Sequence, residues 1–168
     1  MKKKLLRISF ELGEPVKIED WGLSDKNEEE RDSLYNLVSN MLGDFIVQLV
    51  NDVDDEETLH MIVPSILFDF QHLYDVMTLK PSVFTEEIFK MNFQPDSFTL
   101  ILYDEDDSFG VEFTNEVSSL EVFVASIILS SVIFEDQIMG IFLADMLSNF
   151  KYSDFDDGDD YLGEYMES

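Results

Sequence analysis

The stretch FTLILYDEDDSFGVEF, residues 98–113, decides the fold. Phe98 to Tyr103 and Phe109 to Phe113 are strand-like, and the polar run Asp104-Glu105-Asp106-Asp107-Ser108 between them reads as the connection of a hairpin. A second strand signal stands at the other end of the chain. There Leu6, Ile8, Phe10 and Leu12 alternate with Arg7, Ser9 and Glu11, the period of two that half-buries a strand. Gly13 to Pro15 breaks it, and Val16-Lys17-Ile18 reads as a short partner strand. Trp21 to Asn27 is a polar loop, with Trp21 expected to cover one edge of the core.

Between these strand signals the apolar period changes to that of a helix. Leu34, Leu37, Val38, Met41, Leu42, Phe45, Leu49 and Val53 recur at spacings of three and four, so a helix is expected from about Glu28 to Val53. Glu28, Glu29 and Glu30 suit the positive end of its dipole. A second helix is expected from about Asp55 to Leu79, on the stripe Leu59, Ile62, Val63, Ile66, Leu67, Phe70, Tyr74 and Met77. Pro64 inside it predicts a kink or a split at Val63, and Lys80-Pro81 ends it. Thr85 to Met91 reads as a short helical or irregular piece. Ser118 and Glu121 have capping-box spacing ahead of a helix over Ser119–Ile133, although its β-branched content also fits a strand. A further helix is expected over Glu135–Phe150, carrying Met139, Phe142, Leu143, Met146 and Leu147. The expected fold is α+β: a small antiparallel sheet, the N-terminal strand plus the central hairpin, packed against about four helices. The C-terminal pair is expected to be the most buried. Residues 1–153 read as a single domain and 154–168 as an acidic C-terminal tail.

Charge is the second signal. The 168 residues hold 10 basic and 37 acidic side chains, for a formal net charge of −27, with no cysteine. Without cysteine there is no disulfide, thiolate metal site or cysteine nucleophile. With 45% hydrophobic residues, 15 of all residues being phenylalanine, the chain has the apolar volume for a core. Seven of the 10 cations (Lys2, Lys3, Lys4, Arg7, Lys17, Lys26 and Arg31) fall in the first 31 positions, beside eight of the 37 acids. After Arg31, the other 29 acids face only Lys80, Lys90 and Lys151. A surface acidic merely for solubility interleaves lysines among its carboxylates. A one-signed field repels itself, and its usual associations are steering and partner recognition. Adaptation to a salt-rich cytosol is the alternative, but it fits poorly with so many Phe, Ile and Leu side chains. The same charge disfavours direct contact with nucleic acid or an anionic membrane, since both require a positive footprint. Lys2-Lys3-Lys4 is followed by only two leucines before Arg7, too short an apolar run for a signal peptide. Val117 to Phe134 includes Glu121 and lies at the lower margin of the ~17–25 residues a membrane span needs. A cytoplasmic protein is the expectation.

Motifs for chemistry are weak. With Gly158 at the sixth position of a calcium loop, Ser153, Phe155, Asp157 and Glu164 fall at the first, third, fifth and twelfth. Phe155 has no oxygen to give, so the motif fails. Glu57 with His60, and Asp69 with His72, each place an acid and a histidine on one helical face, as carboxylate-bridged di-metal bundles do. The two pairs stand twelve residues apart on one helix, about 18 Å of rise, and cannot share a metal. No Gly-x-Ser-x-Gly or glycine-rich phosphate loop occurs. No enzyme activity, metal or cofactor is expected.

Three acidic clusters remain as candidate partner-binding residues: Asp52, Asp54, Asp55, Glu56 and Glu57 at a helix–helix corner; Asp104, Glu105, Asp106 and Asp107 at the hairpin; and Asp154, Asp156, Asp157, Asp159 and Asp160 in the tail. Each alone is an ordinary solvated loop or cap. Together, almost without lysines, they point to binding. Carboxylates one helical turn apart lie about 5–6 Å from each other, a separation near that of successive phosphates on a nucleic-acid strand. A surface so decorated can occupy a groove built for DNA or RNA, by complementary potential and salt-sensitive encounter. The expected function is therefore an acidic inhibitor of a basic protein, a nuclease or a restriction or CRISPR component. This size and charge profile is that of DNA-mimicking anti-restriction and anti-CRISPR (anti-defence) proteins of phages and mobile elements; the analogy is one of class and rests on no motif. The alternatives are a bacterial immunity protein neutralising a toxin such as a nuclease, and a scaffold or assembly subunit whose oligomer contact is the apolar 117–134 region.

Overall fold

The structure, a computed structural model, describes residues 2–23, 27–52, 55–91, 94–105 and 108–133, apart from the side chains of residues 49, 50, 52, 59 and 60. In chain order the elements are β1 (Lys2–Phe10), β2 (Lys17–Asp20), α1 (Glu28–Asp52), α2 (Glu56–Leu79), α3 (Phe84–Lys90), β3 (Phe98–Glu105), β4 (Ser108–Phe113) and α4 (Ser119–Ile133). A single 3-10 turn over Pro81–Val83 leads into α3. The strands form one antiparallel sheet in the order β2-β1-β3-β4. The architecture is the expected α+β arrangement of N-terminal strand, central hairpin and helices. The helix expected over Glu135–Phe150 and the acidic tail lie outside the described residues.

One face of the sheet is covered. Leu6, Ile8 and Phe10 of β1 and Phe98, Leu100 and Leu102 of β3 are buried beneath the helices. Phe10 stacks on Phe98 at 5.2 Å, and Phe98 meets Phe113 edge-on at 5.8 Å, so three adjacent strands share one aromatic row. β1 is longer at its start than the apolar alternation predicts, and it stops at Phe10, leaving Leu12 in a turn. The extension is built on charge instead of burial: Lys2, Lys3 and Lys4 pair with Glu105, Asp104 and Tyr103 of β3. A bulge between Lys4 and Leu6 interrupts the alternation, and both Leu5 and Leu6 end up fully buried. Leu5 accepts a hydrogen bond from the Trp21 backbone N–H at 2.7 Å. Trp21 itself is 43% exposed, and among the loop's described residues it is Leu23 that enters the core.

α1 is capped as its sequence permits. Asn27 Oδ1 accepts from the Glu30 N–H at 2.9 Å, and Glu30 returns an acceptor to the Asn27 N–H at 3.3 Å. α2 runs unbroken through Pro64, where a kink or split is predicted from sequence. Proline removes the donor owed to the carbonyl at position 60, but Pro64 is on the exposed side, where water can take that place.

α4 is the helix at the centre. It packs against α1, α2 and β1, and residues 123–130 are buried on every side. A helix apolar all round belongs in such a position, which resolves the helix–strand ambiguity of its β-branched sequence. Its buried serines are satisfied within the helix: Ser126 Oγ donates to the Phe123 carbonyl at 2.7 Å and Ser130 Oγ to the Ser126 carbonyl at 2.6 Å. At its start the expected capping box is present in modified form. Glu121, 4% exposed, accepts from the Ser118 N–H and Oγ, both at 2.8 Å, and from the Asp96 N–H at 3.2 Å. One carboxylate thereby ties the segment before β3 to the first turn of α4. Glu121→Ala should cost about 2–3 kcal/mol in urea unfolding, since three charge-assisted hydrogen bonds to a buried carboxylate are lost together. Glu121→Gln should cost less, and equal losses for the two would show that volume matters more than the hydrogen bonds.

Candidate partner-binding surface

The helix–helix corner is a surface feature, as expected. Asp52 ends α1, Asp54 lies outside the described residues, and Asp55, Glu56 and Glu57 are exposed at the start of α2. Asp55 also caps α2, its carboxylate accepting from the Glu57 N–H at 3.2 Å and from Thr58 Oγ1 at 2.6 Å. Those bonds, the Thr58 hydroxyl first, hold Asp55 below the usual carboxylate range. A lowered folded pKa gives stability that is present above the unfolded value and lost as pH falls through the folded one. Asp55→Ala should therefore lower Tm at neutral pH and converge with the parent in acid, whereas Asp55→Asn keeps an acceptor and should change Tm least.

At the hairpin the structure corrects the sequence reading. Asp104 and Glu105 are not in a projecting turn; they end β3, with Asp104 half-buried, and pair with Lys3 and Lys2 of β1. Ser108 is already in β4, so the connection is only residues 106 and 107. Five polar residues in a row gave no apolar alternation by which to see the strands continue. Lys2 is the organiser here. It forms a salt bridge with Glu105 at 3.6 Å, hydrogen-bonds Glu112 and lies over the Tyr103 ring at 4.4 Å from its centroid. The Glu112 hydrogen bond is the main reason that the Lys2 ammonium is raised above its ordinary value and Glu112 lowered below its own. Asp106, Asp107, Asp154, Asp156, Asp157, Asp159 and Asp160 lie outside the described residues.

The largest feature that the sequence reading missed is the outer side of α2. Glu57, Met61, Phe68, Asp75 and Leu79 follow helical spacing along one exposed stripe, and Met61, Phe68 and Leu79 are 73%, 74% and 75% exposed. The signal was present: these three apolar residues fall off the core stripe. Beside it, the His72 Nε2 and Lys90 Nζ each lie 3.2 Å from the Glu87 carboxylate, joining α2 to α3 and holding Glu87 below the usual range. His72 thus pairs across to α3. Asp69, three residues before it, is pushed up by partial burial, with His72 opposing the shift. Because that carboxyl is easier to protonate in the fold than in the unfolded chain, its charge costs stability at neutral pH. Asp69→Asn should raise Tm slightly at pH 7 and leave it unchanged near pH 3; a loss at pH 7 would refute this.

Of the exposed cations, Arg31 stands in α1, Lys80 just after α2 and Lys90 in α3; the others described are on the sheet. Lys2, Lys3, Lys4 and Arg7 of β1 and Lys17 of β2 are all exposed on the sheet, whereas Glu28, Glu29, Asp32 and Asp44 are exposed along α1. Of the 117–134 region, Glu121 and residues 123–130 are buried within the protomer, and Val117, Leu120, Val122, Val132 and Ile133 are partly exposed. Among the described residues no helix is long and apolar enough to cross a membrane, and no three His, Asp or Glu side chains are grouped to hold a metal ion. No protein-family profile, curated protein or solved structure matches the chain.

Proposed function

We propose that this protein is a non-enzymatic inhibitor that occupies the basic surface of a nucleic-acid-handling protein, such as a nuclease or a restriction or CRISPR component. The observation that carries this reading is the one-signed charge after Arg31, where 29 acids face three lysines. Such a field accelerates encounter with a cationic groove and disfavours acidic partners. The fold supports it by gathering five cations on the sheet. Exposed acids stand along α1, with Arg31 among them, and at the start of α2, while Lys2, Lys3, Lys4, Arg7 and Lys17 are held on β1 and β2. The α2 stripe adds what a field alone lacks. Phe68 and Met61 are exposed apolar anchors within a few turns of Glu56 and Glu57, the combination from which binding hot spots are made.

Affinity capture from a bacterial host lysate, eluted with a salt gradient and identified by mass spectrometry, tests the reading. A basic nucleic-acid enzyme should be retained at low salt and released as ionic strength rises. Recovery of the protein alone, or of partners indifferent to salt, would refute it.

A further inference from the structure

We infer that the outer edge of β4 takes up an extended segment of the basic partner as an added strand, one in which lysine or arginine alternates with aliphatic residues. This rests on the proposed reading of a basic partner and names the element that would dock.

β4 ends the sheet order among the described residues. The direction of its backbone groups follows from pairing. The Thr114 N–H donates to the Thr99 carbonyl at 3.0 Å, and Glu105 faces Ser108 across the two-residue connection. Alternation then directs the hydrogen bonds of Ser108, Gly110 and Glu112 to β3, and the N–H and C=O of Val111 and Phe113 away from it. Open edges are normally guarded by charge and short length. β2, the other edge, is guarded: it has four residues, Lys-Ile-Glu-Asp, all exposed. β4 is longer and carries one charge, Glu112.

Side chains on the two faces define the ligand. Towards the helices, Phe109, Val111 and Phe113 form a partly buried apolar row, which an aliphatic residue opposite Val111 would continue. On the open face, Gly110 has no side chain, and the Glu105 carboxylate oxygen lies 3.7 Å from where a Cβ there would stand. Glu105 and Glu112 both bond the Lys2 ammonium, and the Glu105 side chain keeps 46% of its surface exposed beside the bare glycine. A lysine or arginine opposite Gly110 would lay its stem across that gap and place its charge against Glu105. A second copy of this chain is a poor occupant, because it would bring a second charge of −27 to the same edge.

The test uses the full-length protein and a capped synthetic peptide of alternating lysine and valine, with binding measured by calorimetry and backbone amide exchange. The amides of Val111 and Phe113 should become protected when the peptide is added. A peptide N-methylated on the face that meets β4 keeps its charge and should bind about tenfold more weakly, as should the parent peptide to a Val111→Pro variant. That proline removes an outward N–H and no β3 bond. Equal binding of methylated and parent peptides would overturn the edge site and leave electrostatic attraction, and with it the inhibitor reading, intact. No binding of the parent peptide would also overturn the site. Edge binding as expected, with no basic partner captured from lysate, would overturn the inhibitor reading alone.

Discussion

Substituting lysine for Glu56, Glu57 and Asp75 together is expected to weaken binding of the captured partner by about 100-fold at low salt. All three are exposed, Glu57 and Asp75 on the outer stripe of α2 and Glu56 in its first turn, so the change reverses a local field without opening the core. Three reversals alter the local charge by six units, and each contact of this kind contributes on the order of 1 kcal/mol at an exposed rim. The loss should appear mainly in the association rate, and the slope of affinity against ionic strength should flatten. Lysine in the first turn of α2 also opposes the helix dipole, so the variant will melt somewhat earlier. The triple glutamine substitution controls for that: it neutralises without reversal, and its affinity should fall between the two. Unchanged affinity and salt slope in the lysine variant would move the binding surface off α2.

Phe123→Ala is the substitution expected to cost the fold most, about 3–5 kcal/mol in urea denaturation. Phe123 is 1% exposed and lies where three helices meet, stacked on Phe45 at 4.6 Å and edge-on to Phe70 at 6.0 Å. Removing the ring leaves a cavity that three separate helices must relax into, and each is also fixed by other contacts. Against a total stability of typically 5–15 kcal/mol, such a loss puts much of the population near unfolding. Phe123→Leu should retain most of the packing and cost about 1–1.5 kcal/mol. A loss below that for alanine would show that the helical layer is held elsewhere.

Legibility in the sequence followed the strength of period. α1, α2 and the core of the β3–β4 hairpin carry long apolar patterns of a single period, and they stand where those patterns put them. α4 has no period to read, because it is buried on all sides; its position between α1 and α2 is a tertiary fact. The start of β1 and the end of β3 were invisible for another reason. There Lys2 stands opposite Glu105 and Lys3 opposite Asp104 in register, and such residues carry no apolar alternation. The candidate site divided along the same line. The corner acids are readable as helix ends and caps, whereas Asp104 and Glu105 read as part of a turn and stand at the end of β3. The exposed apolar residues of α2 needed the fold, since only the filled core shows which apolar residues were left out of it.

The register of the sheet also has a consequence for how the protein is made. Its central pair joins β1 to β3, so that Lys2 sits opposite Glu105, and the helix that fills the space above them comes later still, at Ser119–Ile133. A nascent chain emerging from the ribosome can therefore pair β1 only with the four residues of β2 until most of the described sequence has appeared, and it has no central helix until after that. During that interval the faces of α1 and α2 on which α4 packs are uncovered. Translation pausing before residue 119 would yield a sticky fragment, and its yield in soluble form should depend on chaperone supply far more than that of the finished chain.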